Sequence, residues 1–300
     1  MKLKIFTLRV LSALLVGLSL FSLPVLTSAA EISDIGEKSS GGSFKYNFPP
    51  SAAHVSIEVD GVKVLEGEAA ILDSVTYVPL RSFSDLFEAD SITWHAMTNT
   101  AKVKKGSTDI SVKSNTYYIE AEGRYFYSEA PTRNIDDRIF VPIRIIAKAL
   151  SVEVEWDRDR RTVVLEDSGR SLTSGSEFYN SDDLYWLARI INAESAGEPL
   201  TGKIAVGNVV LNRQRSRAYP NTVYGVIFDR KGGTQFTPAA TGSIYRAPSE
   251  ESVIAAKICL EGYSIDEEIL FFMNPRIATN NWISKNRPFA FRIANHDFYY

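Results

Sequence analysis

The stretch "LARIINAESAGEP", Leu187–Pro199, is an apolar helical run that closes on a carboxylate. Leu184, Leu187, Ala188 and Ile191 recur three or four residues apart, the spacing that gathers side chains on one helix face. Ser181 is the expected N-cap, and Asp182 and Asp183 suit the positive end of the helix dipole. Gly197 and Pro199 stop the helix. Glu194 lies seven residues after Leu187 and four after Ile190, which places it at the helix end on the flank of the buried stripe. Desolvation raises the pKa of a carboxyl, and one still protonated near neutral pH can act as a general acid. The alternative is a buried glutamate paired with Arg189, Arg213 or the backbone. The helix pattern leaves both readings open.

The next run, "GKIAVGNVVLNR", is expected to form a scaffold helix opened by Thr201, with Ala205 and Gly207 permitting close approach to the first. Asn208 and Asn212, one turn apart, either reach a cleft or satisfy buried backbone. Glu198 falls in the turn between the helices, a cleft-rim or structural position. His296 is the only histidine of this half, whereas zinc hydrolases usually draw on two or more imidazoles. No G-x-S-x-G elbow and no glycine-rich phosphate loop occurs. The single cysteine, Cys259, sits in "SVIAAKICLEGY" and reads as a small buried hydrophobe more readily than as a reactive thiol. Carboxyl acid–base chemistry is what remains.

Upstream the pattern changes to strands. "SIEVDGVKVL" is a hairpin around Asp60-Gly61, and "TYYIEAEGRYFY" another around Glu122-Gly123. Tyr77–Val103 and Phe140–Leu165 are copies of one unit about 63 residues apart, with Pro79, Arg81 and Trp94 answered by Pro142, Arg144 and Trp156. Each copy reads as strand, short helix, strand, turn, strand. His54 and His95 offer no ligand-like spacing, so no metal site is expected. Arg81 and Arg144 either anchor their own helix starts and nearby carboxylates or bind an anionic wall polymer.

The chain of 300 residues carries 45% hydrophobic and 23% charged residues, ordinary for globular protein, and a net charge of −3 gives no basic footprint for nucleic acid. Lys2, Lys4 and Arg9, an apolar run to Leu26, and small residues up to Ala30 read as a signal peptide, with an uncleaved anchor as the alternative. The expected organisation is a signal peptide over 1–30, a linker over 31–53, a duplicated domain over 54–167, a linker over 168–180 and a helical domain over 181–300.

Two resemblances build on these residues. The V-P-[LI]-R motif with its downstream tryptophan is similar to the copper amine oxidase N-terminal-like domain, a stalk module of exported bacterial proteins. "YWLARIINAESAGEPLTGKIAVGNVVLNR", "YPNTVYGVIFD", "QFTPAATGSIY", "FFMNP" and "NNWISKNRP" follow one another in the order seen in the spore-cortex-lytic, SleB-type cell-wall hydrolases. The resemblance implies an α+β chain: a duplicated strand-rich stalk followed by a mainly helical, lysozyme-like two-lobed catalytic domain. It implies a lytic transglycosylase that cuts peptidoglycan glycan strands with Glu194 as the acid and without a cofactor or metal. It places Gln235, Phe236, Tyr245, Asn274 and Trp282 in loops that would bind the sugar, although Phe236 and Trp282 also suit a core. An N-acetylmuramoyl-L-alanine amidase and a non-catalytic wall-binding protein are the competing readings. The expected location is the extracytoplasmic cell wall. Cortex enzymes of this family usually carry a different, helical wall-binding module, so spore and vegetative peptidoglycan are both open as substrates. Wall-polymer contact through the stalk is a further expectation, and oligomeric state is left unassigned.

Overall fold

The computed structural model describes residues 43–231, 233 and 235–300. The expected signal peptide and the start of the expected first linker lie outside these residues. From Ser43 onward that linker is packed rather than free. Phe44 stacks on His54 with ring centroids 3.8 Å apart, and Tyr46 and Phe48 meet the edge of Phe140 at 5.2 and 5.1 Å. Three aromatic rings in five residues bury enough apolar surface to override a polar, turn-rich composition.

The strand-rich half begins with β1 (Ala53–His54), β2 (Ser56–Val59), β3 (Val62–Val64), β4 (Ala70–Leu72) and β5 (Val75–Pro79). Asp60 and Gly61 both have positive φ, 51° and 74°, as a tight turn matched to strand twist requires. Helix α1 (Leu80–Leu86) follows Pro79 directly, and β6 (Ser91–His95) and β7 (Thr100–Lys105) complete the first copy. Then come β8 (Thr108–Lys113), β9 (Tyr118–Ala121) and β10 (Arg124–Tyr127), again turning through two positive-φ residues, Glu122 and Gly123. The second copy is β11 (Arg133–Ile135), β12 (Arg138–Pro142), α2 (Ile143–Ala149), β13 (Val152–Asp157) and β14 (Thr162–Asp167).

The copies meet through their matching strands. β5 and β12 pair antiparallel, with Pro79 opposite Phe140 and Tyr77 opposite Pro142, so a local two-fold relates the two V-P-[LI]-R motifs. Each proline ends its strand and stands at the N-cap of its helix, where a missing N–H costs nothing. The sheets run β1-β4-β5-β12-β11, β10-β9-β8-β7-β6 and β13-β14-β2-β3. In the last, β14 joins β2 in parallel, so the first hairpin completes the sheet of the second copy. Phe83, Val78, Val141, Ile146, Ile110 and Leu165 are at the centre of the core between them.

The second half is mainly helical: α3 (Gly175–Phe178), α4 (Ser181–Ser195), α5 (Leu200–Arg215), α6 (Val223–Phe228), α7 (Thr237–Thr241) and α8 (Glu250–Leu260). After β15 (Phe271–Met273), α9 (Trp282–Asn286), β16 (Phe289–Ile293) and β17 (His296–Tyr299) close a sheet of order β15-β17-β16. The whole is α+β, strand-rich first and helical second. Helices α4, α5 and α8 pack on one another around Leu187, Ile191, Val206 and Ile258. The N-cap of α4 is Asn180, one residue before the expected Ser181; its carboxamide accepts from the amides of Asp182 and Asp183 at 3.0 and 3.1 Å. Helix α5 starts at Leu200 behind Pro199 rather than at Thr201.

Residues 168–180, expected as a linker, join the two halves by direct contact. The Gly175 amide donates to the Glu122 carbonyl at 2.7 Å, and a Cβ on Gly175 would stand 2.7 Å from the Gly123 oxygen, so only glycine fits. Tyr118, Tyr125 and Tyr127 of the β9–β10 hairpin pack against the second core. Arg124 forks onto Glu261 at 2.8 and 2.7 Å, Tyr179 donates to the same carboxylate at 2.7 Å, and Lys257 donates to the Gly123 carbonyl at 2.8 Å. Among the described residues no helix is long and apolar enough to cross a membrane.

Candidate active site

Glu194 occupies the last turn of α4, partly buried behind the stripe of Leu187, Ile190 and Ile191. The pattern of small residues lets that stripe sit tightly against α5. A Cβ on Gly207 would lie 2.9 Å from Ile191 Cδ1 and 2.7 Å from Cys259 Sγ, so the glycine is what permits the approach. Cys259 is 3% exposed, and burial pushes its thiol far above the ordinary range. It is a packing residue.

Burial raises the Glu194 carboxyl from its ordinary value to about 7, opposed by the positive charge of Arg213. The other expected partner, Arg189, is turned away: its guanidinium lies 3.6 Å over the Tyr185 ring. No hydrogen bond or ion pair to Glu194 is present among the described residues. The carboxyl is therefore desolvated without being locked to a partner, an arrangement suited to exchanging a proton near neutral pH.

Arg213 is the residue the sequence reading underrated. It is 5% exposed in the last turn of α5. Its Nε donates to the Leu270 carbonyl at 2.7 Å and its Nη1 to Gln235 Oε1 at 3.4 Å, while Tyr219, Phe236 and Phe271 stand around the guanidinium at 5.1 to 5.3 Å. Burial lowers its pKa, countered by Tyr219, Asp229 and Glu194. Helix α5 carries two arginines in its last turn, Arg213 and Arg215, and only Arg213 is buried, so the sequence offered no signal that set it apart. A buried charge demands partners, and those come from distant loops.

Through Arg213 the structure gathers some of the expected sugar-binding residues and separates others. Gln235 is partly buried beside the guanidinium and also donates to the Lys231 carbonyl at 3.3 Å. Phe236, assigned to substrate, is 3% exposed and packs near Phe272, so its ring belongs to the core. Trp282 is 49% exposed at the start of α9, its edge toward Phe271 and its face 5.3 Å from Arg287. Tyr245 is 60% exposed and borders Trp186 on the flank of α4. Asn274 follows β15 and holds a turn, its side chain accepting from the Arg276 amide at 3.0 Å.

The two asparagines of α5 are structural. Asn208 donates to the Tyr263 carbonyl and accepts from the Ile265 amide, and Asn212 donates to the carbonyls of Asp266 and Ile269, all at 2.9 to 3.0 Å. Glu198 is 8% exposed and structural too. Its carboxylate accepts from the Asn295 side chain and amide at 2.9 and 3.2 Å, and its carbonyl accepts from buried Lys203, which also pairs with Glu251 at 2.7 Å. His296 Nδ1 lies 3.9 Å from that carboxylate without a hydrogen bond, and burial lowers its pKa. Among the described residues no three His, Cys, Asp or Glu side chains converge as a metal-ligand group.

Comparison with known proteins follows this division. Residues 58–165 match the family described as the copper amine oxidase N-terminal domain, and residues 197–299 match the family described as cell wall hydrolase. Glu194 lies just ahead of the second match. The chain is 36% identical over 133 residues to a spore cortex-lytic enzyme of Bacillus cereus, covering 44% of this chain and 49% of that one. It is 38% identical over 120 residues to the spore cortex-lytic enzyme of Bacillus subtilis strain 168, covering 40% and 38%. It thus spans less than half the length of these curated relatives. Among solved structures, the catalytic domain of the germination-specific lytic transglycosylase SleB from Bacillus anthracis aligns over 43% of this chain and 100% of that one, at 36% identity and a TM-score of 0.38. The chain thus joins a region that matches the copper amine oxidase N-terminal domain to one that matches the cell wall hydrolase family.

Proposed function

We propose that the protein is a peptidoglycan-degrading enzyme, a lytic transglycosylase acting on the bond between N-acetylmuramic acid and N-acetylglucosamine. The observation that carries this reading is Glu194: a single desolvated carboxyl at a helix end, brought to about 7 and left without a fixed partner. In that state it protonates the glycosidic oxygen as the bond to the muramyl C1 breaks. The muramyl C6 hydroxyl attacks C1 and returns its proton to the Glu194 carboxylate, leaving a 1,6-anhydro end. One carboxyl then serves as acid and base, whereas hydrolysis through a second carboxylate needs two. Glu198 is a poor second carboxylate because Asn295 already engages it.

The lysozyme-like division of the helical half into two lobes, with a glycan cleft between them, belongs to this proposal. So do sugar contacts by Gln235, Tyr245, Asn274 and Trp282 and a place of action at the extracytoplasmic wall. Support comes from the cell wall hydrolase match and from relatives named as cortex-lytic enzymes.

The test is mass spectrometry of the fragments released from purified peptidoglycan by wild type, Glu194→Gln and Glu198→Gln, with and without a chelator. Anhydro-muropeptides made by wild type and Glu198→Gln, insensitive to the chelator and missing with Glu194→Gln, are expected. Cleavage at the lactyl-amide bond, or products that persist in Glu194→Gln, would overturn the assignment. Reducing ends in place of anhydro ends would make the enzyme a hydrolase.

A further inference from the structure

The duplicated half carries a cleft that this catalytic reading does not use. It has a volume of about 140 Å³ and lies where the start of α1 meets β6 and the β11–β12 turn; Pro79, Arg81, Ile92, Trp94, Asp137 and Arg138 are among its walls. An apolar cavity of similar size accepts one six-membered ring. Trp94 is 49% exposed there, although tryptophan is normally well covered in a folded domain. Arg81 is exposed and forms no ion pair or side-chain hydrogen bond among the described residues. It does not anchor its helix. The same combination occurs in the second copy, where Arg144 is exposed and Trp156 is 39% exposed. Core packing explains neither tryptophan, and salt bridging explains neither arginine.

We infer that this cleft is a binding site for the peptidoglycan glycan strand, separate from the site at Glu194. The indole offers a flat apolar face to a pyranose ring. The Arg81 guanidinium matches a carboxylate carried on that ring or its peptide, and Asp137 accepts from sugar hydroxyls. A polyol-phosphate wall polymer would satisfy the arginines but has no ring to cover Trp94, so the glycan is the better fit. The choice of glycan rests on the proposed function, since both halves would then hold one polymer. Because Arg124, Tyr179 and Lys257 tie the halves together, a strand held at Trp94 is held at a fixed distance from Glu194. Two linked sites on one polymer raise the local concentration each sees of it.

Hydroxyl-radical footprinting read by mass spectrometry scores Trp94 and Trp282 separately. It is applied to the Glu194→Gln chain with soluble uncut glycan fragments, and separately with isolated polyol-phosphate polymer. Protection of Trp94 by glycan is expected, together with about tenfold weaker binding to purified sacculi in Trp94→Ala and in Arg81→Ala, the loss of one good polar or ring contact. Trp94→Phe should retain most of the binding, which separates a ring platform from general damage, and melting temperatures confirm that each variant folds. Trp94 left unprotected by glycan, protection by the polyol polymer alone, or unchanged binding in both variants would overturn the inference. Failure of the wild type to release anhydro products would sink the catalytic reading while leaving the Trp94 footprint to decide this one.

Discussion

Glu194 illustrates how one side chain can trade stability for chemistry. Its native pKa of about 7 lies above its ordinary 4.5, so the folded protein binds more protons than the unfolded chain between those values. Stability from this group is full below about pH 4.5 and falls as pH rises to 7. At about 1.4 kcal/mol per unit the loss reaches up to about 3 kcal/mol. Glu194→Gln, neutral at every pH, should therefore melt at a higher temperature than wild type at pH 8 and at a similar one near pH 5. The same substitution should lower product release by about 10²-fold or more, as expected when a general acid is lost. Wild-type release should decline above about pH 7 as the acid form is depleted. Arg213 works against the raised value, so Arg213→Met should move that decline to higher pH. It should also destabilise by about 2–4 kcal/mol, because the Leu270 carbonyl loses its buried donor. A pH–rate profile and a denaturant titration test the two effects separately.

Among the elements, the α4–α5–α8 packing depends on what is absent from α5. Gly207→Ala inserts a methyl 2.7 Å from Cys259 Sγ and 2.9 Å from Ile191 Cδ1, and should cost about 1–3 kcal/mol by overpacking. Adding Cys259→Ala should recover part of that loss, a non-additivity that a double-mutant cycle reads directly. Cys259 should also resist thiol reagents until the chain unfolds, as its burial and raised pKa require. Labelling in the native protein at the rate seen in denaturant would refute that packing. The small residues were readable as a close-approach face. Contact with the preceding helix, where Ile191 stands, was expected; Cys259 of α8 was not, because it lies far along the chain and only the tertiary packing brings it there.

Across the whole molecule, the two halves share one interface. Arg124 and Glu261, both largely buried and bidentate, are covered by Tyr179 and by Phe178, whose ring lies 3.6 Å from the guanidinium. Removing one partner of such a pair leaves an uncompensated buried charge, so Arg124→Ala should cost about 3–5 kcal/mol. Calorimetry should show wild type unfolding in one transition and Arg124→Ala in two. Two transitions in wild type would mean that the interface couples the halves only weakly. The 168–180 segment was expected as a linker from its glycines and serines. Its role was illegible because Gly175 is required by a contact with Gly123, which no local pattern records.

What the sequence by itself determined was local or repeated. Both hairpin turns, the duplicated unit, the span of α4 and the placing of Glu194 beside an apolar stripe follow from neighbours a few residues apart, where turn chemistry and periodicity act. Tertiary structure decided the rest. It fixed Arg213 on the Leu270 carbonyl and Gln235 instead of pairing it with Glu194, assigned Asn208, Asn212 and Glu198 to holding loops, moved Phe236 into the core and left Trp94 and Arg81 in the open. Each outcome depends on which distant backbone carbonyl or ring arrives at a side chain. Spacing along the chain carries no record of that arrival.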